Sequence, residues 1–197
     1  MSTPKLFQPI TVGKSALKNR VVMAPMTRTR STTAAVPHLP LVKEYYTQRA
    51  ITPGTLLVSE GAFIAAKAGG IPHVPGLYTD EQLTAWKEVC SKDFSSSRIS
   101  LLILSFKITD SVHAAGSFIY VQLWALGRAA YEGVLTAAGD YPYVSASNIP
   151  LEGHENPPRP LTKEEIAEYV QMYATAAKNA IDKGGFDGVE GTFSPPR

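Results

Sequence analysis

Apolar and polar positions along this chain follow two different periods, and the stretches that carry each period alternate. Short apolar runs rich in β-branched and aromatic residues occur at Val21–Ala24, Thr55–Ser59, Phe118–Leu123 and Phe186–Glu190, and each reads as a buried strand of a parallel sheet. Between them lie stretches with helical spacing. Leu41 to Ala50 places Leu41, Val42, Tyr45 and Tyr46 on one face, and the segment after Thr79 places Leu83, Trp86 and Val89 on one face. Lys163 to about Lys183 forms the longest helix. Thr79 with Gln82, and Thr162 with Glu165, have the spacing of capping boxes. Ahead of the first strand, Leu6–Arg20 reads as a small hairpin turning at Gly13-Lys14.

The expected order is a hairpin followed by β-α-β-α-β-α-β. Strands alternating with helices imply a parallel sheet with right-handed crossovers. The long loops, Thr29–Pro40, Ala62–Tyr78 and Gly127–Pro160, all follow strands, and those after helices are short. That asymmetry belongs to a barrel whose working face is built from loops at the carboxyl ends of strands. A full (β/α)8 barrel needs roughly 250 residues. The fold class expected is therefore α/β, a partial (β/α)8 TIM barrel with an N-terminal hairpin and about four βα units, in one domain over residues 1–197.

Candidate chemistry gathers at the strand ends. In the stretch SFIYVQLWALGR the apolar run is interrupted by Gln122, and Trp124 follows on the same side of the strand because side chains alternate. An amide and an indole at that end of a buried strand fit a ligand; they equally fit an amide paired with backbone and an indole filling core. Pro25-Met26-Thr27 ends the first strand, where the Thr hydroxyl would bond a ligand or cap a turn. Glu60-Gly61 ends the second, where a glycine permits close approach of a flat ligand or simply makes a turn.

Composition narrows the classes. Apolar residues at 44% and charged residues at 18% describe an ordinary globular chain, and a net charge of +2 gives no reason to expect nucleic acid or an anionic membrane. One cysteine, Cys90, excludes an internal disulfide and suits a reducing compartment. The first residues lack a basic segment followed by an apolar core, and no apolar run is long enough to span a bilayer, so a cytoplasmic chain is expected. There is no GxGxxG, Walker, HExxH, CxxC or GxSxG signature, and the four histidines are scattered, so no metal site is expected.

The segments LFQPITVG, RVVMAPMTRTR, EYYTQRA, PGTLLVSEG, AGG, HVPGLYTDEQ, FIYVQLWALGR and LTKEEIAEYVQMYATAAKNAIDKGGFDGVE, in that order, resemble the N-terminal half of the Old Yellow Enzyme family, and the wording is nearest its fungal members. The resemblance implies an FMN-dependent ene-reductase that takes hydride from NADPH and reduces α,β-unsaturated carbonyl substrates. It implies that Pro25, Met26 and Thr27 lie along the flavin with the Thr27 hydroxyl on a ring carbonyl, that Gly61 contacts the ring system, that Gln122 bonds the pyrimidine edge, and that Trp124 lines the substrate pocket.

Two departures qualify it. After VE the family continues with a His, an Asn that grips the substrate carbonyl and a Tyr that donates the proton, whereas this sequence reads GTFSPPR, so no catalytic residue is assigned. Later strands would carry the FMN phosphate ligands. Residues 90–108 read as an atypical insert and 191–197 as a non-family tail, and translated introns would explain both. Joining Val89 to Thr109 would make Leu83, Trp86, Val89 and Val112 one continuous helical face. The expectation is an FMN-binding oxidoreductase impaired in this chain. The alternative is a non-catalytic half-barrel that self-associates through open sheet edges, or binds and regulates a full-length relative.

Overall fold

The computed structural model describes residues 4–87 and 108–191. The hairpin is present as β1 (Ile10–Val12) and β2 (Ser15–Leu17), antiparallel, with Gly13 in the left-handed conformation its turn requires. Next come β3 (Val22–Met23), α1 (Leu41–Arg49), β4 (Leu56–Phe63), α2 (Asp80–Trp86), α3 (Ile108–Ala114), β5 (Phe118–Trp124), α4 (Glu132–Gly139), β6 (Val144–Ser145), β7 (Arg159–Pro160), α5 (Lys163–Asp182) and β8 (Gly188–Gly191). The central sheet has the order β3-β4-β5-β8, all parallel.

β5 sits in the middle and has two different faces. Ile119, Val121 and Leu123 are buried among Val42, Tyr46, Leu83, Trp86, Val112, Ala176 and Ala180 from the surrounding helices. Phe118, Tyr120, Gln122 and Trp124 point the other way and are half-buried. The core thus lies between sheet and helices, and the face that would line a barrel lumen is only partly covered. At its lower end Tyr120 donates to the Val12 carbonyl (3.2 Å), so the hairpin plugs the amino-terminal side of the sheet. A strand covered equally on both faces, as the apolar run suggested, is not what the described residues form: β5 alternates buried and half-buried positions.

The caps form as the spacing requires. Thr79 and Gln82 make a capping box on α2, and Thr162 and Glu165 make one on α5. Gln82 is fully buried; its carbonyl oxygen accepts from the Tyr78 and Thr79 amides, and its amide donates to the Ala34 carbonyl. Glu165 also receives a two-pronged Arg159 guanidinium (2.9 and 2.6 Å), which holds its carboxyl down at about 2.

Several expectations need correction. The first strand is a two-residue edge strand among the described residues, and Val21 and Val22 at its start are exposed. Leu41 is exposed, and α1 buries Val42 and Tyr46 instead; Tyr45 is half-buried with the Arg49 guanidinium 3.6 Å over its ring. The second strand does not stop at Ser59 but runs to Phe63 through a register shift between Val58 and Gly61. Gly127–Pro160 is not a plain loop. It holds α4 and the β6-β7 pair, because Leu135 and Tyr143 join Phe63, Val74, Leu126 and Ala130 in a second small core. The expected insert lies outside the described residues except for Ile108, which is buried and opens α3; Val89, Cys90 and the tail from 192 also lie outside them. α2 ends at Trp86, and Leu83, Trp86 and Val112 do share one core.

His113 donates through Nε2 to Asp187 (2.9 Å), which also accepts from the Ile119 amide (2.8 Å), so this pair ties α3 to β5 and to the turn before β8. The bond to Asp187 raises the His113 pKa, opposed by partial burial. A raised histidine pKa stabilises the fold fully below the unfolded value near 6.5 and loses that contribution as pH climbs through the folded value. His113→Gln should therefore flatten the loss of stability on raising pH above the histidine range, measured by urea midpoints from pH 5 to 9. Thr162→Ala should lower stability by about 1 kcal/mol through loss of the α5 cap, read from the same midpoints.

Candidate functional site

The carboxyl ends of the four parallel strands bring most of the sequence-named residues to one side of the molecule. Register sets them in a row: Gly61 on β4 pairs with Gln122 on β5, and Gln122 pairs with Glu190 on β8. One step further, Phe63 pairs with Trp124, and their rings lie 6.0 Å apart. Gln122 and Trp124 share the lumen-side face, as alternation demanded. Pro25, Met26 and Thr27 follow the edge strand β3, with Met26 and Thr27 exposed.

Each residue has a specific environment. The Gln122 amide nitrogen donates to Glu190 Oε2 (3.1 Å), which fixes the orientation of the side chain. Among the described residues its carbonyl oxygen and the Thr27 hydroxyl have no protein partner. The bland alternative for Gln122, an amide spent on backbone, is therefore not what the structure shows. Gly61 is a strand residue, not a turn. A Cβ built there would lie 2.5 Å from Trp124 Cε3 and 3.3 Å from Gln122 Oε1, so the ring that presses on Gly61 is the indole of Trp124.

Glu60 is a neighbour of these residues that strand-end reasoning passed over. It is buried, and its Oε2 accepts from the Arg28 amide (3.0 Å), the residue directly after Thr27. Its own amide donates to the Tyr46 hydroxyl (2.8 Å). Burial pushes the Glu60 carboxyl up, opposed by the Arg28 amide and guanidinium. Burial also pushes the Tyr46 phenol well up, reinforced by the neighbouring Glu60 charge. This carboxylate thus anchors the loop after β3 to the middle of β4. The signal in the sequence was a charged residue inside an apolar run, LLVSEG.

The residues present suit a planar heterocycle. An oriented amide keeps a free acceptor, a hydroxyl is uncommitted, and the apolar surfaces of Met26 and Trp124 flank the row. Among the described residues no group of His, Cys, Asp and Glu could hold a metal ion, and no helix is long and apolar enough to cross a membrane.

A parallel sheet with a hairpin at its amino-terminal side and helices packed on one face is the architecture of part of a TIM barrel. The chain belongs to the NADH:flavin oxidoreductase / NADH oxidase family, whose model matches residues 5–92 and 95–192. It is 46% identical over 186 residues to the NADP-dependent oxidoreductase lnbE of Aspergillus flavus, covering 94% of this chain and 44% of that protein. It is 47% identical over 186 residues to the chanoclavine-I aldehyde reductase fgaOx3 of Penicillium roqueforti, covering 94% of this chain and 45% of that protein. The crystal structure of Old Yellow Enzyme from a Pichia species superposes with a TM-score of 0.77 at 38% identity, over 95% of this chain and 45% of that one. The chain spans a little under half the length of these relatives.

Gly61→Ala should force the Trp124 ring aside. The expected cost is about 1–3 kcal/mol of stability with a change in tryptophan emission. An unchanged midpoint and spectrum would show that the indole does not rest on Gly61.

Proposed function

We propose that this chain carries the flavin-facing wall of an FMN-dependent ene-reductase that uses NADPH and acts on small α,β-unsaturated carbonyl compounds. The observation that carries the reading is the Gly61–Gln122–Glu190 row, which leaves an oriented amide acceptor on the lumen side of a sheet belonging to this family. The names of two relatives support the finer points, one as NADP-dependent and one as an aldehyde reductase.

FMN, when bound, supplies the hydride chemistry. The chain's own residues bind and orient. Gln122 would accept a hydrogen bond from the imide edge of the ring through its free carbonyl oxygen, while Glu190 keeps the amide from rotating. Thr27 would donate to a ring carbonyl, and Pro25 and Met26 would pack along the ring. Glu60 holds that segment in place through Arg28. Trp124 would wall the substrate pocket. No proton donor is assigned among the described residues.

A second reading is favoured by the two edges of the described sheet, β3 and β8, and by exposed Val22 and Val189 on them. It is a non-catalytic half-barrel that pairs with itself or with a full-length relative. Size-exclusion chromatography with and without such a relative separates the two.

Adding FMN to the purified chain should produce a shifted, protein-bound flavin absorbance band, and Gln122→Leu should weaken that binding by about two- to tenfold. NADPH oxidation with cyclohexenone by the chain alone should be slight. A chain whose added FMN keeps its free-solution spectrum would sink the flavin reading, and an unaltered affinity in Gln122→Leu would remove that residue from it.

A further inference from the structure

The segment that carries Thr27 has little regular structure of its own. β3 ends at Met23, and residues 24–30 form neither strand nor helix and are mostly exposed. Two backbone anchors follow Thr27. The Arg28 amide donates to Glu60 Oε2 (3.0 Å), and further on the His38 amide donates to the Arg30 carbonyl (2.8 Å). Glu60 is the nearer anchor. It belongs to β4, the strand whose pairing sets Gly61 beside Gln122, so one strand positions both the amide and the segment with the hydroxyl.

The backbone at this anchor is strained. Thr29, directly after Arg28, is left-handed with φ of 51°. A β-branched residue rarely adopts that conformation, and it persists only where neighbouring bonds overdetermine it. The Glu60 carboxylate supplies them. It accepts from the Arg28 amide, and the Arg28 guanidinium and the Thr29 amide also favour its ionised form. From α1, the fully buried Tyr46 hydroxyl accepts from the Glu60 amide (2.8 Å) and favours the carboxylate as well. The charged and titratable groups facing Glu60 are thus Arg28 from the loop and Tyr46 from α1. Tyr45 and Arg49 stand behind Tyr46: the Tyr45 ring lies 5.1 Å from that of Tyr46, with the Arg49 guanidinium 3.6 Å and the Arg28 guanidinium 5.3 Å from its centre.

We propose that Glu60 is a positioning residue whose negative charge holds the Thr27 segment against β4, and that neutralising this charge releases the segment. Protonation and release are linked. Burial pushes the carboxyl up and the Arg28 and Thr29 amides pull it down, so a carboxyl that has lost those amides takes its proton more readily. Release therefore comes as pH falls through a value above the ordinary 4.5. The fold as a whole responds in the opposite sense. A carboxyl raised by folding contributes stability below its unfolded value and loses it as pH rises through the folded one. The segment thus loosens at acid pH while Glu60 itself destabilises the fold less. The consequence for FMN rests on the role proposed above for Thr27: affinity falls as the segment is released.

The test is a titration of the 15N-labelled chain between pH 5 and 7.5. Without FMN, the Arg28 and Thr29 amide resonances should titrate together, and amide exchange at residues 26–29 should lose protection toward acid pH. Glu60→Gln keeps the shape and an acceptor oxygen but not the charge. It should abolish that titration and leave residues 26–29 unprotected throughout, and the wild-type urea midpoint measured against it should rise toward acid pH. With FMN, the wild type should bind about two- to tenfold more weakly at pH 5 than at pH 7.5, and Glu60→Gln should lose most of that difference. Arg28 and Thr29 amides that do not titrate together, that still do so in Glu60→Gln, or a wild-type midpoint that falls toward acid pH against the variant would overturn the proposal. Those readouts need no flavin, so a chain that leaves FMN unbound sinks the flavin reading while they still decide this one. An FMN affinity with the same pH dependence in both chains would overturn the link to Thr27.

Discussion

Everything in this half-barrel is referred to the two faces of β5. Its side chains alternate, and only one set is placed in a full core. Burying Ile119, Val121 and Leu123 against the helices stabilises the fold by about 1.5–3 kcal/mol each. That fixes the register, because a one-residue slip would exchange these three for Tyr120, Gln122 and Trp124. Once the register is fixed, Gln122 must stand level with Gly61 and Glu190, and Tyr120 must face the hairpin. Site and plug are consequences of the same alternation.

Buried and half-buried polar groups then set the relative placement of the elements. Thr109 Oγ1 lies within hydrogen-bond distance of the Trp86 and Gly184 carbonyls, joining the end of α2 to α3 and to the turn before β8. Asp187 joins α3 and β5, and Gln82 joins α2 to the loop after β3. Glu60 does the same for the segment that carries Thr27. Each of these groups would be costly to bury alone and is satisfied by backbone, so each acts as a specific tie between elements. The loops after the strands are positioned by such ties more than by their own apolar content.

Phe63 gives those loops two distinct environments. On the β5 side lies the polar and aromatic row of a flavin oxidoreductase family; on the α4 side lies the second small core with Val74, Leu126 and Leu135. The division exists because β4 runs past Gly61 to Phe63 and pairs there with Trp124. Had the strand ended at Ser59, neither wall would exist.

The alternation of strands and helices, both capping boxes, the hairpin turn and the shared face of Gln122 and Trp124 could all be read in the sequence. They rest on local period and on side chains that satisfy neighbouring backbone. The family resemblance was likewise carried by ordered segments. Other features depended on contacts between residues far apart in the chain. The exposure of Val21 and Val22 goes with the edge position of β3 among the described strands, and the extension of β4 follows from pairing with β5. The helix in Glu132–Gly139 follows from the shelter that Phe63 and Val74 give Leu135. The role of Glu60 follows from a loop folding back onto it. Sequence by itself determined the hairpin, the alternating main strands and helices, and which residues sit near the strand ends. Only the tertiary structure decided that the ring resting on Gly61 is Trp124, that Glu190 orients Gln122, and that a second small core forms behind Phe63, because each of these is a meeting of separate elements.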